Sequence, residues 1–315
     1  MTTKINRIGL LHLLVIYIVW GSTYLAIRVA VRDGGGFSPF ALGAMRALLA
    51  GILLLTWGAI RKERLRLSRY EFLNMLGAGI LLWLLGNGLV MLGEKRADSG
   101  ITALIIAGVP IWVSIIEAIW DRKLPSILLI GSLFVGACGI VLLSMPLLRS
   151  GIKADIVSVI ALLTASISWA TGTFLQSRNK THLAPVVNSG YQLFFGGIGF
   201  LITALILKEP IPNPIPEAWA AWGYLVVFGS IIAFTSYLQA IRLLPTNIVT
   251  TYSYVNPIIA VILGAVILGE TITPWTVTGA VLVFLGVMGV FRAHRVTMKK
   301  LESIKRPEET VVNSQ

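Results

Sequence analysis

The chain alternates long apolar stretches with short polar, glycine-rich or proline-rich joints, from near residue 8 to near residue 292. A helix needs roughly 20 mainly apolar residues to cross the roughly 30 Å hydrocarbon core of a bilayer. Runs such as LIIAGVPIWVSIIEAIW lack the apolar/polar alternation of a membrane β-barrel strand. The pattern therefore predicts an all-α protein with ten transmembrane helices. They cover residues 8–28, 37–60, 70–92, 99–120, 125–145, 155–176, 185–207, 217–241, 246–268 and 273–292.

The composition agrees with an integral membrane protein. Of the 315 residues, 56% are hydrophobic and 13% are charged, and the mean hydropathy is +0.83. These values leave too little polar surface for a soluble globule. The first apolar stretch is too long for the apolar region of a signal peptide, so it is expected to remain as the first helix.

The net charge of +12 raises nucleic acid as a partner, but the basic residues follow the positive-inside rule instead. When ten helices are counted, these residues fall on one side of the membrane, which predicts that both termini are cytoplasmic and that no nucleic acid binds. The basic stretch from residue 292 is expected to contact the lipid surface and then become disordered. The basic positions are Lys4, Arg7, 61–69, Arg122, Lys123, Arg178, Lys180, Arg242 and 292–300.

Two stretches of the first half return in the second half. IVWGSTYLAIR at 18–28 is echoed by ISWATGTFLQSR at 167–178, and each pairs a tryptophan with small or hydroxyl residues and ends on arginine. RADSGITALIIAGVPIWVSII at 96–116 matches LLPTNIVTTYSYVNPIIAVIL at 243–263. Both echoes are separated by nearly 150 residues, which indicates two related halves of five helices each.

Five is an odd number of crossings, so the second half enters the membrane from the opposite side. The halves are therefore predicted to be inverted repeats, an architecture typical of secondary transporters with a binding site near the bilayer midplane. The predicted division is a first repeat at 1–148, a second repeat at 149–292 and a cytoplasmic tail at 293–315.

Three stretches carry a resemblance to a known family. WGSTYLAIRVAV, MRALLAGILLL and NPIIAVILGAVILGE look like the EamA-type branch of the drug/metabolite transporter superfamily, and the resemblance covers roughly residues 9 to 292. It implies a carrier of the cytoplasmic (inner) membrane, usually an exporter of amino acids, related metabolites or toxic small molecules. In similar proteins the fifth and tenth helices are peripheral and the other helices enclose a central cavity. Substrates vary across the family, so the resemblance does not identify the substrate of this protein.

Arg46 is a permanent charge inside the second predicted helix. It lies nine residues from Phe37, roughly 14 Å deep at about 1.5 Å per residue, and inserting it costs on the order of 3 kcal/mol. Gly43 and Ala50 share its helical face and leave room beside it. Three interpretations stay open: Arg46 binds a carboxylate or other anionic group of the substrate, it locks the bundle through hydrogen bonds, or it pairs transiently as a gate.

Polar and aromatic residues at the predicted midplane are the other candidates for contact with a substrate. Each pair alone is more typical of a helix–helix contact than of a ligand contact, but together they fit a cavity for a zwitterionic or amphipathic small molecule. The predicted substrate-binding residues are Arg46, Trp20, Thr23, Asn87, Trp169, Tyr191, Gln192, Tyr252 and Asn256, with Trp83, Thr173 and Asn188 as their neighbours.

Pro110 and Pro257 occupy matched places in the two repeats and are predicted to be hinges or static kinks beside the cavity.

Glycines in the fifth and tenth helices, such as Gly136 and Gly286, allow either close packing within the chain or a homodimer face. Glu117 lies near a cytoplasmic joint and is interpreted as interfacial. No carboxylate falls at mid-depth, which disfavours proton-coupled export of cationic drugs.

An enzyme is disfavoured. The chain has no Walker sequence, and its three histidines, His12, His182 and His294, have no acid or cysteine at metal-ligand spacing. We therefore expect no catalytic residue, metal or cofactor, and the lone Cys138 is expected only to fill space. The sequence predicts a secondary transporter that exports small organic solutes such as amino acids by alternating access. The alternatives are a carrier for drugs or lipophilic cations and a membrane sensor or assembly subunit that does not transport.

Overall fold

The computed structural model describes residues 5–31, 34–94, 99–146, 156–179, 181–268 and 272–312. Throughout those ranges the regular structure is helical, in ten units that we number in chain order. The first repeat contains α1 (Arg7–Val31), α2 (Pro39–Ile60), α3 (Arg69–Ala78, Gly79–Asn87 and Gly88–Glu94), α4 (Ser99–Ile106 and Val109–Asp121) and α5 (Ile127–Leu143). The second repeat contains α6 (Ile156–Arg178), α7 (Pro185–Ile206), α8 (Pro216–Tyr224, Leu225–Ile232 and Ala233–Leu243), α9 (Thr246–Val249 and Tyr252–Leu268) and α10 (Pro274–Val312).

The ten predicted spans are confirmed, with ends that agree to within a few residues. In the described part of the chain, nine helices are long and apolar enough to cross a membrane, and α5 is a shorter apolar helix of 17 residues. The structure differs at the carboxyl end, where α10 continues through Val312 instead of ending near residue 292. Lysine, arginine and glutamate are good helix formers, so a helix that leaves the membrane can continue through them. The predicted boundary between 148 and 149 and the GE pair at 269–270 lie outside the described residues.

The helix packing repeats itself across the two halves. The most extensive contacts join repeat-equivalent helices, α2 with α7 and α5 with α10. In the same way α1 packs on α8 and α9, while α6 packs on α3 and α4. These main contacts of one half thus have counterparts in the other, as expected for the predicted inverted repeats. Helices α5 and α10 pair mainly with each other and otherwise contact α4 and α9, which leaves the other eight helices around the centre.

Helices α2 and α7 end in the same backbone motif. Lys62 and Lys208 adopt left-handed φ values of 57° and 51°, and the next residues, Glu63 and Glu209, donate their N–H to the carbonyl oxygen five residues earlier at 2.9 Å. This is the Schellman arrangement, which satisfies carbonyls at the end of a helix. The two copies are 146 residues apart and add a third echo between the repeats.

The middle parts of α3 and α8 are wound as π-helices, Gly79–Asn87 and Leu225–Ile232. In each segment a side chain donates to the carbonyl five residues earlier: Asn87 Nδ2 to Leu82 O at 3.4 Å, and Ser230 Oγ to Leu225 O at 3.0 Å. The wider turns are therefore supported by side chains in both repeats. Such turns are uncommon and occur frequently at functional sites.

The two prolines occupy different places in their helices. Pro110 lies in the first turn of the second piece of α4, after a break at residues 107–108. Pro257 lies inside the Tyr252–Leu268 piece of α9, and the break in α9 comes earlier, at 250–251. Both helices are thus interrupted before their proline, about one helical turn earlier in α9 than in α4, while the hinge role of the prolines stays a prediction.

Glycines bring α5 and α10 into backbone contact. A Cβ on Gly286 would lie 2.6 Å from the backbone nitrogen of Gly136, closer than real Cβ contacts, and backbone atoms cannot rotate away. Gly286→Ala is therefore expected to lower the apparent melting temperature, by an overpacking cost of about 1–3 kcal/mol. Gly131→Ala in α5 is the matched control, because nothing lies within 4 Å of its Cβ position. Thermal unfolding in detergent compares the two, and equal melting temperatures would contradict the packing role.

Candidate functional site

Arg46 lies between the two π segments. Its side chain is 4% exposed, Nε donates to Ser230 Oγ at 2.7 Å, and the guanidinium carbon lies 5.2 Å from the ring centroid of Trp83. Gly229 makes room for it, since a Cβ there would be 3.1 Å from an Nη atom of Arg46. The α3 segment thus supplies an aromatic face. The α8 segment supplies a hydrogen-bond acceptor and, at Gly229, the space that the guanidinium occupies.

The charge of Arg46 has no acidic partner in the part of the chain that the structure describes. The ion pairs found there join Arg64 with Glu71 and Arg178 with Asp121. Of the five guanidinium N–H donors of Arg46, only the one on Nε has a hydrogen bond to a described residue. Contact with an aromatic face offsets part of the cost of burying this cation. The remaining donors are free to bind an anion.

Next to Arg46 lies an aromatic cluster, which consists of Trp20, Trp169, Tyr237 and Tyr252. Trp20 is at its centre, with ring centroids 5.5 Å from Trp169, 5.0 Å from Tyr237 and 5.0 Å from Tyr252. The four rings come from α1, α6, α8 and α9. Trp20 and Trp169 are repeat partners, so they meet edge to face where the two halves of the bundle adjoin.

The aromatic cluster and Arg46 are continuous. Phe234 stacks on Tyr237 at 5.9 Å and lies edge to face with Trp83, the ring under Arg46, at 5.0 Å. Trp20 Nε1 donates to the carbonyl of Gly229 at 3.1 Å, beside the guanidinium slot. One wall of aromatic rings therefore leads to one buried cation.

The threonines of the two repeats support the tryptophan turns. Thr23 Oγ1 donates to the Trp20 carbonyl and Thr173 Oγ1 to the Trp169 carbonyl, both at 2.7 Å. Thr173 also hydrogen-bonds the hydroxyl of Tyr237. Both threonines thus lie at the cluster with their hydroxyl protons donated to the backbone, and Thr173 also accepts from the Tyr237 hydroxyl.

Asn256 joins α9 to α1 beside the aromatic cluster. With its amide oriented to satisfy both atoms, Asn256 donates to the carbonyls of Tyr17 at 3.3 Å and Tyr252 at 3.0 Å. Tyr17 also hydrogen-bonds Thr251 at 2.5 Å, in the break of α9. Asn256 therefore holds the interrupted part of α9 against α1.

A separate polar network lies toward the end of the bundle where α7 begins. Gln192 is fully buried and its amide nitrogen donates to Gln176 Oε1 at 2.9 Å and to Asn188 Oδ1. Gln176 in turn donates to Asn74 Oδ1 at 2.9 Å. Tyr191, on the neighbouring face of α7, donates its hydroxyl to the carbonyl of Leu65 at 2.8 Å.

The structure therefore brings five of the predicted residues around one centre and places the other predicted residues elsewhere. Trp20, Thr23, Trp169, Tyr252 and Asn256 surround the region next to Arg46. Gln192 belongs to the polar network, Tyr191 contacts the joint after α2, and Asn87 supports the π turn next to Trp83.

Four central residues do not stand out in the sequence: Phe234, Tyr237, Gly229 and Ser230. The two aromatic residues carry a weak signal, because FTSY at 234–237 places them three positions apart on one helical face. Gly229 and Ser230 carry none, since glycine and serine are common wherever transmembrane helices pack closely.

Comparisons with known proteins give one consistent result. The model of the EamA-like transporter family matches residues 7–145 and 156–292. The inner membrane transporter YedA of Escherichia coli (strain K12) is 33% identical over 85% of this chain and 86% of its own length. Protein PecM of Dickeya dadantii is 25% identical over 84% of this chain and 86% of its own length. A solved crystal structure, 18% identical, superposes with a TM-score of 0.75 and covers 91% of this chain and 98% of that chain, so it has the same fold.

Proposed function

Because the chain belongs to the EamA-like transporter family, we propose that it is a secondary carrier that exports small organic solutes with a carboxylate or similar anionic group, such as amino acids. Transport is by alternating access across the cytoplasmic membrane. The observation that carries this proposal is the buried guanidinium of Arg46, which has free donors and no acidic partner among the described residues.

An anionic substrate suits Arg46 on energetic grounds. A buried charge is costly unless it is paired and hydrogen-bonded, and a guanidinium binds a carboxylate through two parallel hydrogen bonds. The side chain is held by Ser230 and by the ring of Trp83, so little conformational entropy is lost when a ligand binds. Arg46 thus supplies the recognition of the charged group.

The aromatic cluster suits the rest of such a substrate. Its rings, packed mostly edge to face, form an apolar surface continuous with Trp83 and Phe234. Ligand sites typically combine apolar walls with a few placed polar groups. A zwitterionic or amphipathic solute therefore matches the arrangement better than a wholly polar one.

The described residues give less support to a carrier for lipophilic cations. Such a carrier needs an acid at mid-depth that exchanges proton and substrate. Among the described charged side chains, only Arg46 and Glu71 are buried, and Glu71 is held in the capping box at the start of α3 together with Arg64. The central charge is positive, which repels a cationic drug.

Alternating access follows from the inverted repeats in this proposal. Repeat partners such as Trp20 and Trp169 meet at the centre, so rocking of one half against the other would open the site to either side in turn. The breaks at 107–108 and 250–251, each ahead of a proline, are the places where α4 and α9 would bend. The distribution of basic residues supports cytoplasmic termini, and the outward direction rests on the resemblance to exporters of the family.

The test is counterflow uptake into proteoliposomes loaded with unlabelled solute, using a panel of labelled amino acids, other carboxylates and lipophilic cations. We expect exchange of one or more solutes that carry a carboxylate, and no exchange of the lipophilic cations. Liposomes without protein give the background for each solute. Exchange confined to cations would overturn the proposal.

A further inference from the structure

Glu209 caps a helix that belongs to the other repeat. It follows α7, and its carboxylate accepts hydrogen bonds at the start of α2 from Ser38 Oγ at 2.8 Å, from the backbone N–H of Ala41 at 2.8 Å and from that of Phe40 at 3.3 Å. The N-cap residue of α2, Ser38, gives no side-chain cap of its own. Glu209 therefore satisfies helix-terminal N–H groups and places a negative charge at the positive end of the helix dipole.

The joint that contains Glu209 is fastened to α2 by a second contact. Asn213 donates its backbone N–H to the carbonyl of Gly36 at 3.1 Å. Gly36 has φ +88°, and a Cβ on it would lie 2.2 Å from the Asn213 oxygen, so glycine is needed for this approach. We name the part of the bundle where 34–38 meets 207–215 the acidic end. It is closed by contacts between the two repeats.

The equivalent acid-to-helix cap is not formed among the described residues of the opposite end, which we name the basic end (61–69 and 178–185); there the repeats are joined by the Tyr191 hydrogen bond to the Leu65 carbonyl instead. Glu63 occupies the position of Glu209 in the repeated Schellman motif, 146 residues earlier. Its side chain is exposed and has no hydrogen bond to a described residue. The start of α7 has Ala184 as its N-cap residue and no side-chain cap. An acid and an uncapped helix end are thus present without being joined.

The difference between Glu209 and Glu63 can be related to the inverted repeats. In such carriers one repeat rocks against the other around a fixed site, so a cap that only one half forms is a candidate for a contact that changes between the two end states. We propose that Glu209 and Glu63 are alternating latches. In the state described here, Glu209 holds the acidic end closed. In the opposite state, Glu63 caps α7 and Glu209 is released. This inference rests on the proposed function, because it requires two states.

The tryptophans show the same asymmetry at the centre. Trp20 Nε1 donates to Gly229 in the π segment of α8. Its repeat partner Trp169 lies against Gly86 in the π segment of α3, but its indole is directed to the hydroxyls of Tyr237 and Tyr252 and not to a backbone carbonyl of that segment. The Trp20 bond to a π segment accompanies the engaged latch of Glu209, and the lack of such a bond at Trp169 among the described residues accompanies the free Glu63. In the opposite state, Glu63 would cap α7 and Trp169 would hydrogen-bond the π segment of α3.

The test measures how accessible each end is, without any substrate. Single-cysteine reporters replace two fully buried alanines at opposite ends of α8, Ala218→Cys at the acidic end and Ala240→Cys at the basic end, in a Cys138→Ser background. A charged, water-soluble thiol reagent labels each reporter in lipid nanodiscs, where both ends face water. The readout is the ratio of the labelling rate at position 218 to the labelling rate at position 240.

Glu209→Ala is expected to raise this ratio about fivefold, the population shift produced by the loss of one helix cap. Glu63→Ala is expected to lower it by a similar factor, because it weakens only the opposite state. Glu217→Ala is the matched control, since this exposed glutamate lies at the acidic end without a hydrogen bond to a described residue.

Shifts of the same sign in the two variants, or no shift in either, would overturn the latch. If Glu209→Ala does not give monodisperse protein, Ser38→Ala removes one of the three bonds, and it must then shift the ratio in the same direction by a smaller amount. The labelling result is separate from counterflow. Wild-type counterflow with an unchanged labelling ratio overturns the latch alone, whereas opposite labelling shifts without counterflow of any solute overturn the proposed function.

Discussion

Replacing Arg46 by alanine is expected to reduce counterflow of a carboxylate-bearing solute by about 100-fold while the protein still folds. Two charge-assisted hydrogen bonds to the substrate would be lost, each worth about 1.5–3 kcal/mol, and 1.4 kcal/mol corresponds to a factor of ten. Arg46→Lys keeps the charge but not the planar pair of donors, so we expect an intermediate loss of about tenfold. Initial rates of counterflow in proteoliposomes measure both effects.

Ser230→Ala is the control that separates binding from bundle stability. It removes the protein hydrogen bond of Arg46 and leaves the guanidinium in its slot, so we expect a smaller transport loss, on the order of threefold. If Arg46 only locks the bundle, Arg46→Ala and Ser230→Ala should lower the melting temperature together and affect every transported solute equally. Solute exchange that survives Arg46→Ala would contradict a role in substrate binding.

The sequence was sufficient to predict the helical bundle and to identify Arg46, the residue whose burial in the membrane costs the most free energy. Length and apolarity define each transmembrane helix, because the bilayer imposes both, and the repeated tryptophan stretches placed Trp20 and Trp169 in equivalent positions. Arg46 stood out because a charge at that depth needs a polar environment. These inferences succeed because the bilayer constrains the composition of each stretch, and that composition can be read from a single sequence.

The rest of the site depends on how helices face one another, which the sequence did not display. Tyr191 and Gln192 are adjacent, so their side chains point about 100° apart on a helix with 3.6 residues per turn, and the two contact different neighbours. The π segments lie in apolar runs such as LWLLGN, where no residue type marks a wide turn. The partner of Arg46, Ser230, comes from α8, 184 positions away.

Gly229→Leu is expected to abolish transport by displacing the guanidinium. A Cβ at this position would be 3.0 Å from Thr23 Cγ2 and 3.1 Å from an Nη atom of Arg46, so a branched side chain cannot enter unless Arg46 moves. A displacement of about 1 Å of a positioned group can cost on the order of 100-fold. Gly229→Ala needs a shift of only a few tenths of an ångström and should retain partial counterflow.

Gly223→Leu is the matched control, because it lies in the same helix and nothing is within 4 Å of its Cβ position. We expect it to transport like the wild type. Binding of a transported solute, measured by titration calorimetry in nanodiscs, should be lost in Gly229→Leu and kept in Gly223→Leu. Normal binding with lost counterflow in Gly229→Leu would assign this glycine to the conformational change instead, since Trp20 hydrogen-bonds its carbonyl, and would remove it from the substrate site.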